Sequence, residues 1–450
     1  MELFTLDKPD LTSVDPVRVL EHFSKHVQEY LESVEKASEP NYYYWDTIKY
    51  KVPPGSLSIL EFWYLIKQVR KISSRKTLIK VEAGKNFFWR RPVSTDELLH
   101  KIDVKLGGEI FSHYTQIITS YGKQRLLTKS IIEESIASSQ LEGAATTTPI
   151  AKRMLLENRS PRDKSERMIV NNYRTMQALN EKYKDKKMSI DLLMELHDLI
   201  AKDTLDVDKI GRLRTDQDGI SVNDGISYIY HIPPKASFVK VELSRLIDFA
   251  NDEDGEGFIH PIIKAIFLHF WVGYLHPFYD GNGRMARVLF YWYLLRNGYW
   301  AIQYLPISLV IKNAYLQYGM AFVYSEQDDY DLTYFYDFHI HKLILAMKNF
   351  DEYIHRKVEE NTLIEGALDA KYQLNDRQKE LLRYLLIKGQ DYFVTPSSYI
   401  ELYKVSKVTA YKDLQVLVSQ NLIVKKKVGK NTRYSGTEKL FLQIKTNKLK

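Results

Sequence analysis

One stretch of the sequence, His276 to Arg287, concentrates residue types that handle phosphate groups. Its centre is Gly281-Asn282-Gly283, whose residues tolerate positive φ and let consecutive backbone N–H groups turn toward one point. Apolar residues at helical spacing flank the stretch, so we expect one helix to end near Leu275 and another to begin near Gly283. A helix N-terminus favours phosphate through its dipole and its free amides. The stretch therefore predicts a phosphate-binding loop.

Four charged or titratable side chains surround this loop. Arg284 and Arg287 are three residues apart on one helix face and can direct guanidinium groups at the same anion. Asp280 would repel a phosphate, so a bridging Mg²⁺ is the natural reason for its presence. Histidine titrates near neutral pH, which suits His276 to act as a general base. The combination indicates phosphoryl or nucleotidyl transfer, and the alternative is a plain connection between two buried helices.

The stretch resembles the Fic-domain family signature, His-Pro-Phe-x-Asp-Gly-Asn-Gly-Arg-x-x-Arg, and matches it without departure. The resemblance implies an all-α core that binds ATP with Mg²⁺, transfers AMP to a hydroxyl side chain of a protein, and releases pyrophosphate. By position it makes His276 the base and Asp280 the magnesium ligand, with Phe278 anchoring the loop. The phosphate-binding residues that it implies are Gly281, Asn282, Gly283, Arg284 and Arg287. Kinase-like relatives replace the Gly-Asn-Gly-Arg part, so its presence here favours nucleotidyl transfer.

A second segment, Ser138-Ser139-Gln140-Leu141-Glu142-Gly143, resembles the family's inhibitory motif on the N-terminal side of the core. Ser138 and Glu142 are i,i+4 neighbours at the end of a helical segment, and Gly143 suits a helix C-cap. The resemblance implies that Glu142 pairs with Arg287 and takes the guanidinium group that the γ-phosphate needs. The alternatives are an ordinary surface helix, or a hydrolase in which Glu142 positions a water that removes AMP from a modified protein.

Residues 220–232 form a predicted β-hairpin, because Asp224-Gly225 lies between two apolar stretches with strand character. The hairpin follows Gly211-x-x-Arg214-Thr215 and resembles the family's flap. An exposed strand edge there could dock a target protein and direct its Ser, Thr or Tyr hydroxyl at the base. A plain surface hairpin is the alternative. Tyr315 resembles a family position near the base, where it would line the purine pocket or pack in the core.

The last part of the chain, from Leu374, follows a helix–helix–helix–hairpin order that resembles a winged helix-turn-helix domain at residues 374–436. If this domain binds DNA, its third helix enters the major groove and the hairpin grips phosphates. The hairpin cations are Lys425, Lys426, Lys427, Lys430 and Arg433. The third helix offers only Lys407 and Lys412, offset by Asp413, so a protein partner is equally favoured. Beside the transferase and the hydrolase, a further interpretation of the whole chain is therefore a nucleotide-sensing transcriptional regulator.

Composition sets the wider limits. The 450 residues suggest two or three domains, and 44% hydrophobic and 27% charged residues are typical of a globular protein. The absence of cysteine excludes disulfide frameworks, a cysteine nucleophile and iron–sulfur clusters. The 64 basic and 57 acidic residues give +7, yet residues 421–450 alone carry nine Lys or Arg and one Glu. Only this end therefore has an electrostatic case for nucleic acid.

We expect the following organisation: a mainly α chain with an N-terminal helical extension (1–95), a Fic helical core with a β-hairpin flap (96–361), the winged helix (374–436) and a basic tail (437–450). The first residues lack the features of a signal peptide, and the apolar stretch Ala265 to Leu275 is too short for a membrane span. We therefore expect a cytoplasmic protein without membrane contact. Homo-oligomerisation stays open.

Overall fold

The computed structural model describes residues 1–108, 120–255, 257–369, 372–429 and 431–447. Helices dominate these residues, which confirms the prediction of a mainly α fold. The helices are α1 (Pro16–Lys25), α2 (Val27–Ser38), α3 (Trp45–Ile48), α4 (Ile59–Ile72), α5 (Thr95–Gly107), α6 (Ser120–Leu141), α7 (Thr148–Leu156), α8 (Lys164–Ala178), α9 (Ile190–Ala201), α10 (Ala236–Ala250), α11 (Pro261–Leu275), α12 (Asn282–Arg296), α13 (Ile307–Lys312), α14 (Tyr315–Gln327), α15 (Thr333–Asp369), α16 (Asp376–Lys388), α17 (Pro396–Tyr403), α18 (Lys407–Ser419) and α19 (Glu438–Asn447). The strands are β1 (Glu2–Leu3), β2 (Ser74–Lys80), β3 (Asn86–Arg90), β4 (Val222–Asn223), β5 (Tyr228–His231), β6 (Phe393–Val394), β7 (Ile423–Val428) and β8 (Asn431–Gly436).

The chain divides into two compact units. The first comprises Met1–Asp103, Leu179–Gly298 and Asn313–Ile344, and the second comprises Val104–Ala178, Tyr299–Lys312 and Leu345–Lys450. The first unit thus contains the predicted phosphate-binding loop together with the residues before position 95. The domain boundaries drawn from the sequence stay predictions.

The centre of the first unit is the pair α11 and α12. Nearly every side chain of both helices is buried, which fits segments that are apolar on all faces. The connection between them spans only His276 to Gly281. The two helices end and begin within a residue of the positions that the sequence predicts, so the loop sits between two rigid elements.

The residues before position 95 are not purely helical. Besides α1 to α4, they form an antiparallel hairpin of β2 and β3, with Ser74 opposite Arg90. The strands are rich in Thr, Ile, Phe and Trp, which favour sheet structure, and Gly84 supplies the turn with φ of +81°. The predicted helical extension therefore also contains a hairpin that helical periodicity could not reveal.

The predicted hairpin at 220–232 is present as β4 and β5, and it is part of a three-stranded sheet. The sheet order is β1-β5-β4, with β4 antiparallel and β1 parallel to β5. Asp224 shapes the turn, because its Oδ1 accepts hydrogen bonds from the N–H groups of Ile226, Ser227 and Tyr228 at 2.8–3.0 Å. We call residues 220–232 the flap.

The second unit contains α6 to α8, α13 and the C-terminal elements. From α16 onward the order is helix, strand, helix, helix and hairpin, and the antiparallel sheet runs β6-β8-β7. This agrees with the predicted helix order and adds the short strand β6. The long helix α15 continues to Asp369, eight residues beyond the predicted end of the core at 361. No helix in the described part of the chain has the length and apolar character needed to cross a membrane.

Candidate functional site

His276 directly follows α11 and adopts a left-handed conformation with φ of +47°. Its backbone N–H donates to the carbonyl of Val272 at 3.0 Å, which closes the helix. Its ring Nδ1 lies 2.9 Å from the carbonyl oxygen of Gly273. A carbonyl can only accept, so Nδ1 carries a proton, and in the neutral ring the lone pair would lie on Nε2. This is the form that a general base requires.

Arg214 holds the backbone around His276. Its Nε donates to the carbonyl of His276 at 2.6 Å, and its Nη2 donates to the carbonyls of Pro234 and Leu275 at 2.5 and 3.2 Å. Its own N–H donates to the carbonyl of Pro277 at 2.9 Å. One buried arginine thus fixes three successive carbonyls of the loop.

Asn282 and His197 shape the rest of the loop around Phe278. The Asn282 side chain accepts from the N–H of Phe278 at 2.8 Å and donates to its carbonyl at 2.9 Å. The ring of Phe278 is fully buried and stacks on the ring of His197, with centroids 3.8 Å apart. His197 Nε2 donates to the carbonyl of Asp280 at 3.0 Å. Burial lowers the pKa of His197, so its ring stays neutral.

The side chain of Asn282 therefore serves the shape of the loop. Its backbone N–H still belongs to the first turn of α12, where amides have no partner within the helix. Gly281 precedes it with φ of +87°, and an added Cβ there would lie 3.4 Å from Arg284 Nη2 and from Ile200. Gly283 is half-buried in the same turn.

Arg284 and Arg287 place two buried guanidinium groups at the start of α12. The two residues are 0% and 3% exposed, respectively. Arg284 Nη1 donates to the carbonyl of Ile200 at 3.1 Å, and its Nη2 lies 3.7 Å from Asp280 Oδ1. Asp280 Oδ1 also accepts from the N–H of Gly281 at 2.5 Å. The Asp280 side chain stays 35% exposed, so it can contact a ligand.

His231, at the end of β5, lies beside His276, with ring centroids 6.2 Å apart. Its Nδ1 is 2.7 Å from a carboxylate oxygen of Glu326, and its Nε2 is 2.8 Å from the carbonyl of Tyr274. Burial lowers the pKa of His231, but Glu326 and the Tyr274 carbonyl outweigh burial, so its pKa is raised. The flap thus ends next to the candidate base.

The edge of β5 is already paired with the N-terminus. The N–H groups of Glu2 and Phe4 donate to the carbonyls of Ser227 and Ile229 at 2.9 and 2.8 Å. The sequence predicts an exposed strand edge at the flap, and in the structure residues 2–4 cover the β5 edge. The reason is that β1 forms too short a strand to be visible in the sequence.

Two further contacts hold this N-terminal segment. The Phe4 ring packs against Tyr228 and Tyr230, with centroids 5.7 and 5.2 Å away. The side-chain amide of Gln327 binds the backbone of this segment. Its Nε2 donates to the carbonyl of Phe4 at 2.8 Å, and its Oε1 accepts from the N–H of Leu6 at 2.9 Å. Both of its hydrogen bonds go to backbone groups.

Ser138 and Glu142 belong to the second unit, at the end of α6. Ser138 is buried, and Glu142 is half-buried one residue beyond the helix. Gly143 takes φ of +88°, and its N–H donates to the carbonyl of Gln140 at 3.1 Å, as expected for a C-cap. Glu134, one turn before Ser138, accepts from the N–H of Ser308 at 2.8 Å and from its hydroxyl.

The cations of the C-terminal hairpin differ in exposure where the structure describes them. Lys425, Lys426 and Lys427 all lie in β7 with exposed side chains, whereas Lys430 lies outside the described residues. Arg433 packs over the ring of Phe393 at 4.0 Å.

The prediction that Asp413 offsets the charges of Lys407 and Lys412 is wrong. Asp413 is buried, and it accepts hydrogen bonds from Arg377 Nε at 2.7 Å and from Tyr399 at 3.0 Å. It therefore does not offset the exposed Lys407 and Lys412, because its charge is neutralised inside the domain.

Tyr315 is 58% exposed at the first position of α14, which excludes the alternative that it packs in the core. Its part in a purine pocket stays a prediction. Within the described residues, no group of three or more His, Asp or Glu side chains could hold a metal ion by itself.

Sequence reasoning missed the residues that support the loop from a distance. Arg214 was visible only as part of the Gly211-x-x-Arg214-Thr215 stretch, and His197 only as one histidine in an apolar helix. Gln327 carried no signal. Their roles depend on contacts between distant segments, which spacing along one chain cannot reveal.

Residues 187–294 match the model of the Fic/DOC family. The chain is 32% identical over 116 residues to Protein adenylyltransferase Fic of Nematostella vectensis, which covers 26% of this chain and 25% of the relative. It is 32% identical over 114 residues to Protein adenylyltransferase fic-1 of Caenorhabditis elegans, which covers 25% and 20%. The matched region thus spans about a quarter or less of these relatives' own length.

Solved structures of Fic proteins are also similar to this chain. A crystal structure of a Fic family protein from Desulfovibrio desulfuricans G20 covers 76% of this chain and 96% of its own, at 20% identity and a TM-score of 0.47. A structure of Fic-1 from C. elegans covers 75% and 86%, at 17% identity and a TM-score of 0.47.

The two hydrogen bonds of the Asn282 side chain yield a testable prediction. In Asn282→Asp at pH 7 a carboxylate faces the carbonyl of Phe278 and cannot donate to it, so we expect a loss of about 2 kcal/mol in unfolding free energy. Urea unfolding at pH 7 measures this loss.

A matched control is Asn297→Asp. Asn297 Nδ2 donates to one carbonyl at the end of α12, but the residue is half-buried instead of enclosed. A difference from wild type that is equally large for both variants would contradict the assignment.

Proposed function

We propose that this chain, whose residues 187–294 form a Fic domain, is a protein adenylyltransferase that transfers AMP from ATP to a hydroxyl side chain of a protein. The observation that carries the proposal is the state of His276. Its Nδ1 proton is held by the Gly273 carbonyl, which makes Nε2 the nitrogen that would act as the base, just before a helix start with two buried arginines. The names of the relatives from N. vectensis and C. elegans support the same activity.

In the proposed reaction, His276 acts first as the base and the start of α12 binds the phosphates. Nε2 of His276 takes the proton of the target hydroxyl, and the hydroxyl oxygen forms a bond to the α-phosphorus of ATP. The bond from this phosphorus to the oxygen that bridges to the β-phosphate breaks, and pyrophosphate leaves. The N–H groups of the first turn of α12, with Arg284 and Arg287, stabilise the charge on the phosphates.

A magnesium ion fits this site only as a partner of ATP. Asp280 is the exposed carboxylate next to the loop, and Mg²⁺ is commonly bound by one or two carboxylates plus substrate phosphates. When bound, the ion would neutralise phosphate charge and allow Asp280 to stand beside the phosphates. The chain's own contribution is the position of Asp280, which the N–H of Gly281 and the nearby Arg284 fix.

We further propose that the enzyme restrains itself through Ser138 and Glu142. Support comes from the sequence motif and from the rigid support of α6, whose buried Glu134 is hydrogen-bonded to Ser308. A glutamate that occupies Arg287 would deprive the γ-phosphate of its cation. ATP would then bind unproductively until the glutamate leaves.

Intact-protein mass after incubation with ATP and Mg²⁺ tests transfer and inhibition together. We expect little or no added mass for wild type and a gain of one or more AMP units for Glu142→Gly, because the restraint is lost. The gain should vanish in Glu142→Gly/His276→Ala, which lacks the base.

The matched control is Glu157→Gly, which removes a glutamate of the same unit just after α7. A gain in this variant would show that glycine substitution loosens the unit in general. If Glu142→Gly instead loses the ability to remove AMP from a modified protein, Glu142 positions a water and the chain is a hydrolase. No gain in any variant would favour the nucleotide-sensing regulator.

We propose that a target protein docks on the flap as an added strand. Support comes from the position of β5, which ends at His231 beside His276. Because residues 2–4 pair with the same edge, a target strand that uses it must displace the N-terminus. The N-terminal segment would then limit the rate of modification of a foreign target.

The Phe4 ring offers a test of this competition. Phe4→Ser removes the packing on Tyr228 and Tyr230 without touching the flap, so the N-terminal strand should release more often. In the Glu142→Gly background we expect at least a threefold increase in AMP transfer to added bacterial or eukaryotic lysate proteins, measured with a radiolabelled nucleotide.

Leu3→Ser is the matched control, because Leu3 belongs to the same strand but is 47% exposed and makes none of these ring contacts. Equal rates for both variants, or a decrease for Phe4→Ser alone, would exclude displacement of the N-terminus and leave the β4 edge as the docking site.

A second candidate function is DNA binding by the C-terminal domain, in line with a winged helix-turn-helix. The observation that favours it is the buried, neutralised Asp413, which leaves Lys407 and Lys412 as the exposed charges of α18. Tyr411 and Val408 are exposed on the same helix. With Lys425 to Lys427 on β7, the domain presents cations on two elements that could contact phosphates.

Fluorescence anisotropy with a duplex DNA of arbitrary sequence tests this function. We expect the triple substitution Lys425→Gln, Lys426→Gln and Lys427→Gln to weaken binding at least tenfold and to reduce the salt dependence by about two to three charges. A control triple substitution, Lys184→Gln, Lys186→Gln and Lys187→Gln, removes equal charge from a loop of the first unit. Equal effects, or no binding by wild type, would favour a protein partner.

A further inference from the structure

A cavity of about 650 Å³ lies wholly within the second unit, apart from the loop at His276. It is enclosed by α6, α7, α15 and the C-terminal elements from α16 to α17. Its volume is in the range of pockets that hold small-molecule ligands. Its cationic lining residues are Arg125, Lys129, Lys152, Arg153, Arg356 and Lys388. Against these six cations stand two lining carboxylates, Glu157 and Asp391.

Carboxylates behind the wall neutralise only part of this charge. Arg125 forms a buried ion pair with Glu380 at 2.9 Å, and Lys152 pairs with Glu133 at 2.8 Å. These two pairs fix the positions of α6 and α7 around the cavity. Among the described side chains, six lining cations stand against four carboxylates, the two behind the wall included. This leaves an excess of positive charge facing a partly enclosed space.

Lys129 lies close enough to other lining cations to be affected by their charge. Its Nζ stands 4.1 Å from the ring centre of Tyr353. Burial lowers the pKa of Lys129, and the cations Lys152, Arg125 and Arg356 add to that effect, while Glu133 opposes it. A bound anion would relieve the repulsion among these cations and favour the charged form of Lys129.

The remaining wall is aromatic. Tyr384 and Tyr392 are joined by a hydrogen bond of 2.9 Å between their hydroxyls, with ring planes at 84°. Arg125 stands over the ring of Tyr384 at 5.3 Å. Phe393 completes this side. A planar organic group can therefore pack at one side of the cavity while its charged part reaches the cations.

We propose that this cavity is a second ligand site, which binds a nucleoside carrying two or more phosphate groups. The phosphates would contact Lys129, Arg356 and neighbouring cations, and the base would pack against the tyrosines. The site is independent of the proposed transfer reaction. Because α6 lines the cavity and also carries Ser138, its ligand would contact the helix that leads to the proposed inhibitory motif.

Hydrogen–deuterium exchange of the full chain with ADP tests the proposal and separates this site from the loop. In wild type we expect ADP to slow exchange in residues 120–132 and 384–398. In Lys129→Gln/Arg356→Gln this protection should require at least tenfold more ADP, because two phosphate contacts are lost. Protection of residues 276–290 reports the Fic loop and should be unchanged in the variant.

Lys123→Gln is the matched control, since Lys123 lies on α6 but does not line the cavity. Because the surroundings already oppose a charge at position 129, thermal unfolding of Lys129→Gln should occur no earlier than in wild type. Unaltered protection of residues 120–132 in the double variant would overturn the proposal.

Adenosine and pyrophosphate, used in the same experiment, test the two halves of the ligand. Both should protect residues 120–132 at least tenfold more weakly than ADP. Pyrophosphate that binds as tightly as ADP would overturn the base contact, and adenosine that binds as tightly would overturn the phosphate contact. Protection at 276–290 without protection at 120–132 would confine nucleotide binding to the Fic loop.

Discussion

The backbone between α11 and α12 must reverse direction within six residues and still point a histidine and a helix start at the same space. It does so with two left-handed residues, Gly281 at φ of +87° and His276 at +47°. Glycine adopts this conformation freely, whereas for a residue with a side chain it costs about 1–2 kcal/mol. His276 can hold it because Arg214 binds three adjacent carbonyls and Gly273 accepts the ring proton. The tautomer of the proposed base and the path of the chain are thus set by the same contacts.

The positive charge that Arg284 and Arg287 bring to the site does not titrate near neutral pH. Arg287 and Arg284 are buried guanidinium groups, and buried histidines lie in the same unit. Burial lowers the pKa of His269, and His339 and Arg287 lower it further; the pKa of His339 falls to about 3, with burial as the main cause. Both rings are therefore neutral, so the positive potential for phosphate is a permanent property of α12.

The sequence allowed the local features of this site to be predicted, because they are contiguous. Periodicity and turn residues predict the end of α11 at Leu275 and the start of α12 within one residue of Asn282. They also predict the flap hairpin and the helix order after Leu374. Features that depend on distant contacts could not be predicted. Arg214 reaches the loop over 61 or more positions, and the partners of the β5 edge are the first residues of the chain. Asp413 was misjudged for the same reason: in the sequence it is a charge beside Lys412, and only the fold turns it toward Arg377.

In the second unit, side-chain contacts connect the C-terminal elements to both α6 and α8. Arg125 and Glu380 form an ion pair in which both side chains are at most 10% exposed, and Tyr173 donates a hydrogen bond to Glu401. Breaking a buried ion pair by moving one partner leaves an uncompensated charge, which costs about 3–5 kcal/mol. A shift of α16 relative to α6 that separates this ion pair is therefore unfavourable. The ion pair therefore links α16, the first helix after α15, to α6, the helix that ends one residue before Glu142.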